Sequence, residues 1–202
     1  MLLRYSDGSP YARKVRVFAI EKGVMGEIEG HASNPWDAPG ALIALNPLGK
    51  IPTLVARDGT ALYDSPVICE YLEGLADRPR LIPAGGMERL LALRTQALAD
   101  GVMDAAVLLR VEMTQRKEGD RNQGWIDRQV GQIDRPLDAF EAEVDRFAPV
   151  GIGEISIACA LGYLDFRHGA RGWRTGRPKL AAWFAAFLER PSMVATHPGE
   201  AK

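Results

Sequence analysis

Hydrophobic and polar positions follow two different rhythms along the 202 residues, and the change comes about three-eighths of the way in. Before it, short apolar runs are cut by turn residues. Leu2 to Tyr5 is the first of these and closes at Asp7-Gly8, which predicts an opening strand and a loop. Ser9 then suits an N-cap and Pro10 the first helical position, so Tyr11 to Lys22 reads as a helix. Val15, Phe18 and Ala19 sit at helical spacing within it, and Gly23 is its stop. A second strand is expected around Gly26 to Gly30. Residues 31–50 are loop-like, punctuated by Asn34-Pro35, Pro39-Gly40 and Asn46-Pro47, with a short helix from Gly40 to Leu45. Ile51 to Val55 is β-rich, Asp58-Gly59 is a turn pair, and Ala61 to Tyr63 completes a hairpin signal. Asp64-Ser65-Pro66 starts a helix running to about Leu75.

After a Pro- and Gly-rich stretch from Arg78 to Gly86, the rhythm becomes helical throughout. Met87 to Gln115 is one long amphipathic stretch. Trp125 to Phe147 is another, with Trp125, Gln129, Ile133, Leu137 and Phe140 along one face. Ile155 to Phe166 is too apolar for a surface helix and is expected at the centre. Pro178 to Leu188 is the last predicted helix. The order is β-α-β-α-β-β-α, a linker, then an all-α half, giving domains at 1–77 and 87–202 joined by 78–86.

Composition narrows the picture without redirecting it. Hydrophobic residues are 47% and charged residues 25%, an ordinary globular balance. With 25 Lys+Arg against 26 Asp+Glu, the net charge of -1 gives no reason to expect nucleic acid or an anionic membrane as partner. The local run Arg167, Arg171, Arg174, Arg177 reads as a solvated loop and helix start. No apolar run reaches the roughly 18–20 residues of a membrane span. Asp7 and Gly8 interrupt the opening segment too early for a signal-peptide core. Cys69 and Cys159 lie far apart in apolar surroundings, so a disulfide framework or metal site is unsupported, and both read as buried small hydrophobes in a reducing cytoplasm.

The first half has the pattern of a thioredoxin-like unit, which makes one tetrapeptide informative. Ser9-Pro10-Tyr11-Ala12 occupies the strand-to-helix junction where glutaredoxin-type proteins carry Cys-Pro-Tyr-Cys. Both sulfur positions are gone, so thiol–disulfide exchange by a protein thiolate is excluded here. What remains is a hydroxyl at a helix N-terminus, where free N–H groups and the dipole favour an anion. If the sulfur belongs to a bound thiol, Ser9 donates a hydrogen bond to its thiolate. Lowering a thiol pKa from about 8.5 by roughly two units requires about 2.7 kcal/mol. One charge-assisted hydrogen bond of roughly 1.5–3 kcal/mol and a helix-terminus term of about 0.3–1 kcal/mol suffice. The same Ser-Pro pair also reads as plain helix capping.

Two further segments bear on the choice. Pro52 enters a predicted strand at the place where this kind of fold carries a cis-proline, which turns the preceding backbone N–H and C=O toward a ligand. A trans proline opening an edge strand is the competing reading. At the next helix start, Ser65 and free N–H groups suit a carboxylate while Asp64 suits an ammonium, the two charges on the γ-glutamyl carbon of glutathione. Asp-Ser-Pro alone is equally a cap, but the three segments in register point to one peptide-like thiol.

Over its length the chain resembles the soluble glutathione S-transferase superfamily, and most of all bacterial serine-type members with a tau-, theta- or zeta-like N-terminal motif. The residues that carry this are Ser9 to Arg16, Asn46 to Pro52, Asp64 to Ile68, Ala160 to Arg167, and Arg190-Pro191-Ser192. The resemblance implies an α+β thioredoxin-like N-terminal domain and an all-α C-terminal domain. It implies that Ser9 activates the thiol of glutathione as co-substrate, with no metal. Ile51 offers its backbone beside a cis Pro52, Asp64 and Ser65 hold the γ-glutamyl end, and Lys50 and Asn34 lie near the glycyl carboxylate. The electrophile is expected beside Tyr11 and the long helix carrying Met103, Asp104, Val107, Arg110 and Val111, although Met103 and Val107 also read as core. A homodimer using Glu70 and Tyr71 is implied as well. The implied reaction is thiolate attack on a small, mostly apolar electrophile. Glutathione-dependent disulfide or peroxide reduction and a non-catalytic binding module are its rivals. One departure stands out: the family's Ser or Thr capping box before the central helix is here Gly151-Ile152-Gly153-Glu154, which lacks the side-chain acceptor.

Overall fold

The computed structural model describes residues 1–37 and 40–199, so Pro39 and the end of the predicted 87–202 domain lie outside it. Two compact units appear among the described residues, one formed by Met1–Arg89 with Pro191–Gly199 and the other by Leu90–Arg190. The first is a four-stranded sheet with helices. β1 (Leu2–Tyr5) leads through α1 (Pro10–Glu21) to β2 (Glu29–Ala32), then α2 (Gly40–Leu45), β3 (Thr53–Val55), β4 (Ala61–Leu62) and α3 (Ser65–Glu73). The strand order is β2-β1-β3-β4. β1 and β2 are parallel across the α1 crossover, with Leu3 opposite Gly30. β3 is antiparallel to β1, with Leu54 opposite Leu3, and β4 pairs antiparallel with β3.

The physical basis is visible in the burial. Leu3, Leu54, Val15, Phe18, Ile68 and Leu72 are 0–1% exposed, so sheet, α1 and α3 share one apolar core. Each such side chain contributes roughly 1.5–3 kcal/mol of burial free energy. The second strand begins later than the pattern suggested, because Met25–Glu27 forms a 3-10 turn and pairing starts at Glu29. All four β2 residues are exposed, which leaves no alternation to read. A buried cation closes the unit: Lys22, at the end of α1, pairs with Glu73 at 3.0 Å and donates to the Pro79 carbonyl at 2.7 Å.

The second unit is helical. α4 (Gly86–Gln115) begins in the first unit and continues into this one, followed by α5 (Gln123–Glu143), α6 (Ile152–His168) and α7 (Pro178–Leu188). On α5, Gln129, Ile133, Leu137 and Phe140 are buried as the periodicity predicts, whereas Trp125 is 39% exposed. α6 is buried almost throughout its first thirteen residues, and Ser156 satisfies its hydroxyl on the Ile152 carbonyl at 2.7 Å. The arginine run is more ordered than a solvated loop. Arg174 grips Asp165 with two bonds of 2.6 and 2.7 Å and stacks 4.5 Å from the Trp173 ring centroid, while Arg177 reaches Asp138 at 2.7 Å.

A last short helix, α8 (Pro191–Ala195), was not foreseen, and its segment belongs to the first unit. The pattern places these residues in the helical half, because the chain reaches them after the helical segments; the structure returns them to the first unit.

Two glycines of α6 behave differently. Gly151 is an extended N-cap with no side-chain bond, and the Glu154 carboxylate accepts from the Ala148 amide at 3.0 Å. Gly153 has Thr95 of α4 so close that an added Cβ would lie 2.9 Å from its Cγ2. Gly153→Ala is therefore expected to lose about 1–3 kcal/mol of stability through overpacking. Gly151→Ser should gain only about a few tenths of a kcal/mol from the restored cap. Urea unfolding of both variants checks the pair, and a neutral Gly153→Ala rejects the close-packing account.

Candidate active site

The strand directions determine which loops meet. Tyr5 ends β1 opposite Ala32 at the end of β2, Thr53 starts β3 opposite Arg4, and Leu62 ends β4 opposite Leu54. The segments around Ser9, Asn34, Lys50-Ile51-Pro52 and Tyr63-Asp64-Ser65 therefore all leave or enter at the same end of the sheet. Chain segments far apart in sequence converge there on the N-termini of α1 and α3.

Ser9 is the N-cap of α1, extended at φ -88° and ψ 120°. Its Oγ accepts the amide of Ala12 at 3.2 Å, and its own amide donates to the Ser6 carbonyl at 3.1 Å. A hydroxyl has one proton and two lone pairs, so accepting this amide leaves the proton for another acceptor. Capping and donation to an anion are thus compatible uses of one side chain. The Ile51–Pro52 peptide is cis, as is Tyr63–Asp64. Ile51 is 8% exposed.

The loop that presents Ile51 is shaped by two buried polar residues whose role was not legible in the sequence. Asn46 donates through Nδ2 to the Lys50 carbonyl at 3.0 Å and to Thr53 Oγ1 at 3.1 Å, and its Oδ1 accepts the Leu48 amide at 3.0 Å. Thr53 Oγ1 donates to the same Lys50 carbonyl at 2.9 Å. In the sequence, Asn46-Pro47 reads as a turn signal and as part of the segment that carries the resemblance, with no indication of this bonding. Gly49, at φ 62°, occupies the left-handed position that the turn requires.

The remaining expectations divide. Ser65 begins α3 and is 1% exposed, while Asp64 caps that helix through its backbone without a side-chain bond. Lys50 is exposed. Asn34 is occupied within its own loop, accepting the Trp36 amide at 3.2 Å and donating to Asp37 at 3.0 Å. Tyr11 is half-buried at the second position of α1. On α4, Met103 is fully buried and belongs to the core, and this burial takes it out of the expected electrophile set. Asp104 instead lines a groove of about 630 Å³ between α4 and α5, together with Trp125, Arg128 and Arg135. Val107, Arg110 and Val111 are half-buried. Glu70 is engaged by Arg89, and Tyr71 is half-buried beside it. Among the described residues no group of His, Cys, Asp and Glu is arranged to hold a metal ion. Cys69 and Cys159 are each buried and form no disulfide. Among these residues no helix is long and apolar enough to cross a membrane.

A cationic cluster joins α4 to α6. Burial raises the Tyr163 phenol despite the nearby charges of Arg110 and Arg167. His168 Nε2 lies 2.9 Å from the Ala106 carbonyl, which requires it to carry the proton there. Burial is the main cause holding the His168 imidazole below 6.5, opposed by the Ala106 bond and reinforced by Arg171, Arg110 and Arg167. The folded protein then binds fewer protons than the unfolded chain. The stability from neutral His168 is full above 6.5 and is lost as pH falls through the unfolded and then the folded value. His168→Gln, which keeps a donor for the carbonyl, should flatten the stability–pH curve below about pH 6.5. Parallel curves for wild type and variant would reject this assignment.

The chain is similar to known proteins in sequence and in fold. The family model described as glutathione S-transferase, N-terminal domain, matches residues 8–75, and the one for the C-terminal domain matches residues 123–186. An uncharacterized GST-like protein of Escherichia coli K12, YibF, is 37% identical over the whole of both chains. A glutathione transferase family member from Pseudomonas fluorescens Pf-5, solved with bound glutathione, is 44% identical over 98% of each chain with a TM-score of 0.94. A second structure of a family member from the same organism, with bound S-(propanoic acid)-glutathione, has a TM-score of 0.90 at 44% identity and covers 98% of this chain and 99% of the other.

Proposed function

Because the chain belongs to the soluble glutathione S-transferase superfamily, we propose that it binds glutathione at this end of the sheet and activates its thiol through Ser9. The observation that carries the reading is the Ser9 hydroxyl, fixed by the Ala12 amide with its proton free to donate, at the N-terminus of α1. A thiolate placed there meets one directed O–H donor and the positive end of a helix. The cysteinyl backbone pairs with Ile51 beside Pro52, and the γ-glutamyl carboxylate takes the amides and hydroxyl at Ser65 while Asp64 receives its ammonium. Lys50 serves the glycyl carboxylate by charge alone. Asn34 contributes only if its own loop bonds open.

The reaction proposed is thiolate attack on an electrophilic carbon of a small, mostly apolar molecule. The S–C bond forms as the leaving group departs or as a conjugated double bond takes up a proton. A relative carrying bound S-(propanoic acid)-glutathione supports thioether chemistry of this kind. Tyr11, two residues after Ser9, is the side chain to substitute for electrophile selectivity. We further propose a cytoplasmic homodimer, with Tyr71 on α3 at its interface. Glu70 has its carboxylate committed to Arg89.

The test is an absorbance titration of the thiolate in the glutathione complex. In wild type the bound thiol should ionise about two pKa units below its free value, and Ser9→Ala should remove most of that shift. At pH 6.5 the variant should lose roughly ten- to a hundred-fold in kcat with KM for glutathione nearly unchanged. An identical thiol pKa in the variant rejects Ser9 as activator. Product analysis decides the reaction class, since thioether formation supports transfer and release of oxidised glutathione supports reduction. Failure of wild type to bind glutathione at millimolar concentration removes the enzymatic reading altogether.

A further inference from the structure

A polar cluster on the far side of α1 ties the first turn of this helix to a segment 180 residues later in the chain. Arg13 follows the Ser9-Pro10-Tyr11-Ala12 junction, and its amide donates to the Ser9 carbonyl at 3.0 Å. Its guanidinium belongs to a residue only 4% exposed, with Nη2 donating to the Met193 carbonyl at 3.1 Å and Nε reaching Thr196 Oγ1 at 3.4 Å. The Thr196 hydroxyl in turn donates to the Ser192 carbonyl at 2.8 Å. At the other end of the helix, Ser192 Oγ donates to Glu21 Oε1 at 2.5 Å. Ser192, Met193 and Thr196 are each 1% exposed, and all of these residues belong to the first unit.

The arrangement grips both ends of α1 from one short helix. A guanidinium is a rigid planar fork, so holding it at two acceptors fixes the orientation of the turn that bears it. That turn is the one whose Ala12 and Arg13 amides bond Ser9 Oγ and Ser9 O. Helix first turns fray most readily, and a hydrogen bond to a thiolate weakens quickly with misplacement. We propose that α8 is a clasp on α1 and that Arg13, acting through Met193 and Thr196, is a positioning residue for the Ser9 hydroxyl. The proposal rests on the reading of Ser9 as thiol activator and adds how that hydroxyl is held.

The experiment uses the full chain with glutathione as the probe. Thr196→Val keeps the shape and removes the hydroxyl; Arg13→Lys keeps the charge and removes the fork. Both variants and Ser9→Ala enter the same thiolate titration, with amide hydrogen exchange at Ala12 and Arg13 recorded alongside. In Thr196→Val the bound thiol pKa should rise by about half to one unit, kcat at pH 6.5 should fall roughly three- to ten-fold with KM for glutathione little changed, and the two amides should exchange about ten-fold faster. Arg13→Lys should move all readouts the same way. A purely structural anchor would lower the melting temperature and leave the thiol pKa in place, and that result in either folded variant overturns the proposal. If Ser9→Ala also leaves the pKa unmoved, the activator reading is what has failed. Exchange then decides the clasp: faster exchange at Ala12 and Arg13 supports it, and unchanged exchange overturns it.

Discussion

The bond from the Ala12 amide to Ser9 Oγ is the constraint on which the candidate chemistry depends. It is an ordinary helix cap of about 1 kcal/mol. Its consequence is that one oxygen lone pair is committed to the helix, the proton is left for another acceptor, and the side chain cannot swing away without uncapping α1. Helix capping and a hydroxyl donor are thereby compatible at one residue.

The sheet supplies what surrounds that donor. Four strands of two to four residues carry little stability individually, and their value is in direction. Two parallel strands and two antiparallel ones deliver their connecting loops to a common end. Within one of those loops, Asn46 and Thr53 share the Lys50 carbonyl and so hold the approach to Pro52. Both are nearly inaccessible, at 2% and 0% exposed, and both are satisfied, which is the condition under which buried polar groups make a loop rigid. The helical unit follows a different principle. α6 is an apolar rod against which α4 comes close enough at Gly153 and Thr95 to exclude a methyl group.

Much of this was legible in the sequence where one physical signal dominated. α2 and α7 begin and end where Gly40–Leu45 and Pro178–Leu188 predict, because a turn residue or proline opens each and its apolar period is unbroken. Pro136 lies inside α5 without ending it, since the face carrying Ile133, Leu137 and Phe140 outweighs one lost bond. The Ser9, Pro52 and Ser65 segments were found because their residue types imply a common ligand and their order fits one topology. Other features depended on tertiary packing that no local pattern encodes. β2 pairs through backbone alone with every side chain exposed, so its start slipped. Met103 and Asp104 are adjacent on α4 but face the core and a groove respectively, which spacing could not separate. The arginine run found acidic partners 37 and 39 positions away on α5, and one nine positions away on α6. α8 is five residues long, too short for periodicity, and its place on α1 is decided by Arg13 and Glu21.

The union of α1 with α8 has a bearing on biosynthesis. Glu21 and Ser192 are 171 positions apart, and the helical unit lies between them. At roughly 5–20 residues per second, a translating ribosome needs on the order of 10–35 s to pass from one to the other. Throughout that interval α8 is not there to cover its place on α1, so the contact joining Glu21 to Ser192 forms only after the helical unit has been made. Of these two units, the one that begins earlier in the sequence is completed after the other.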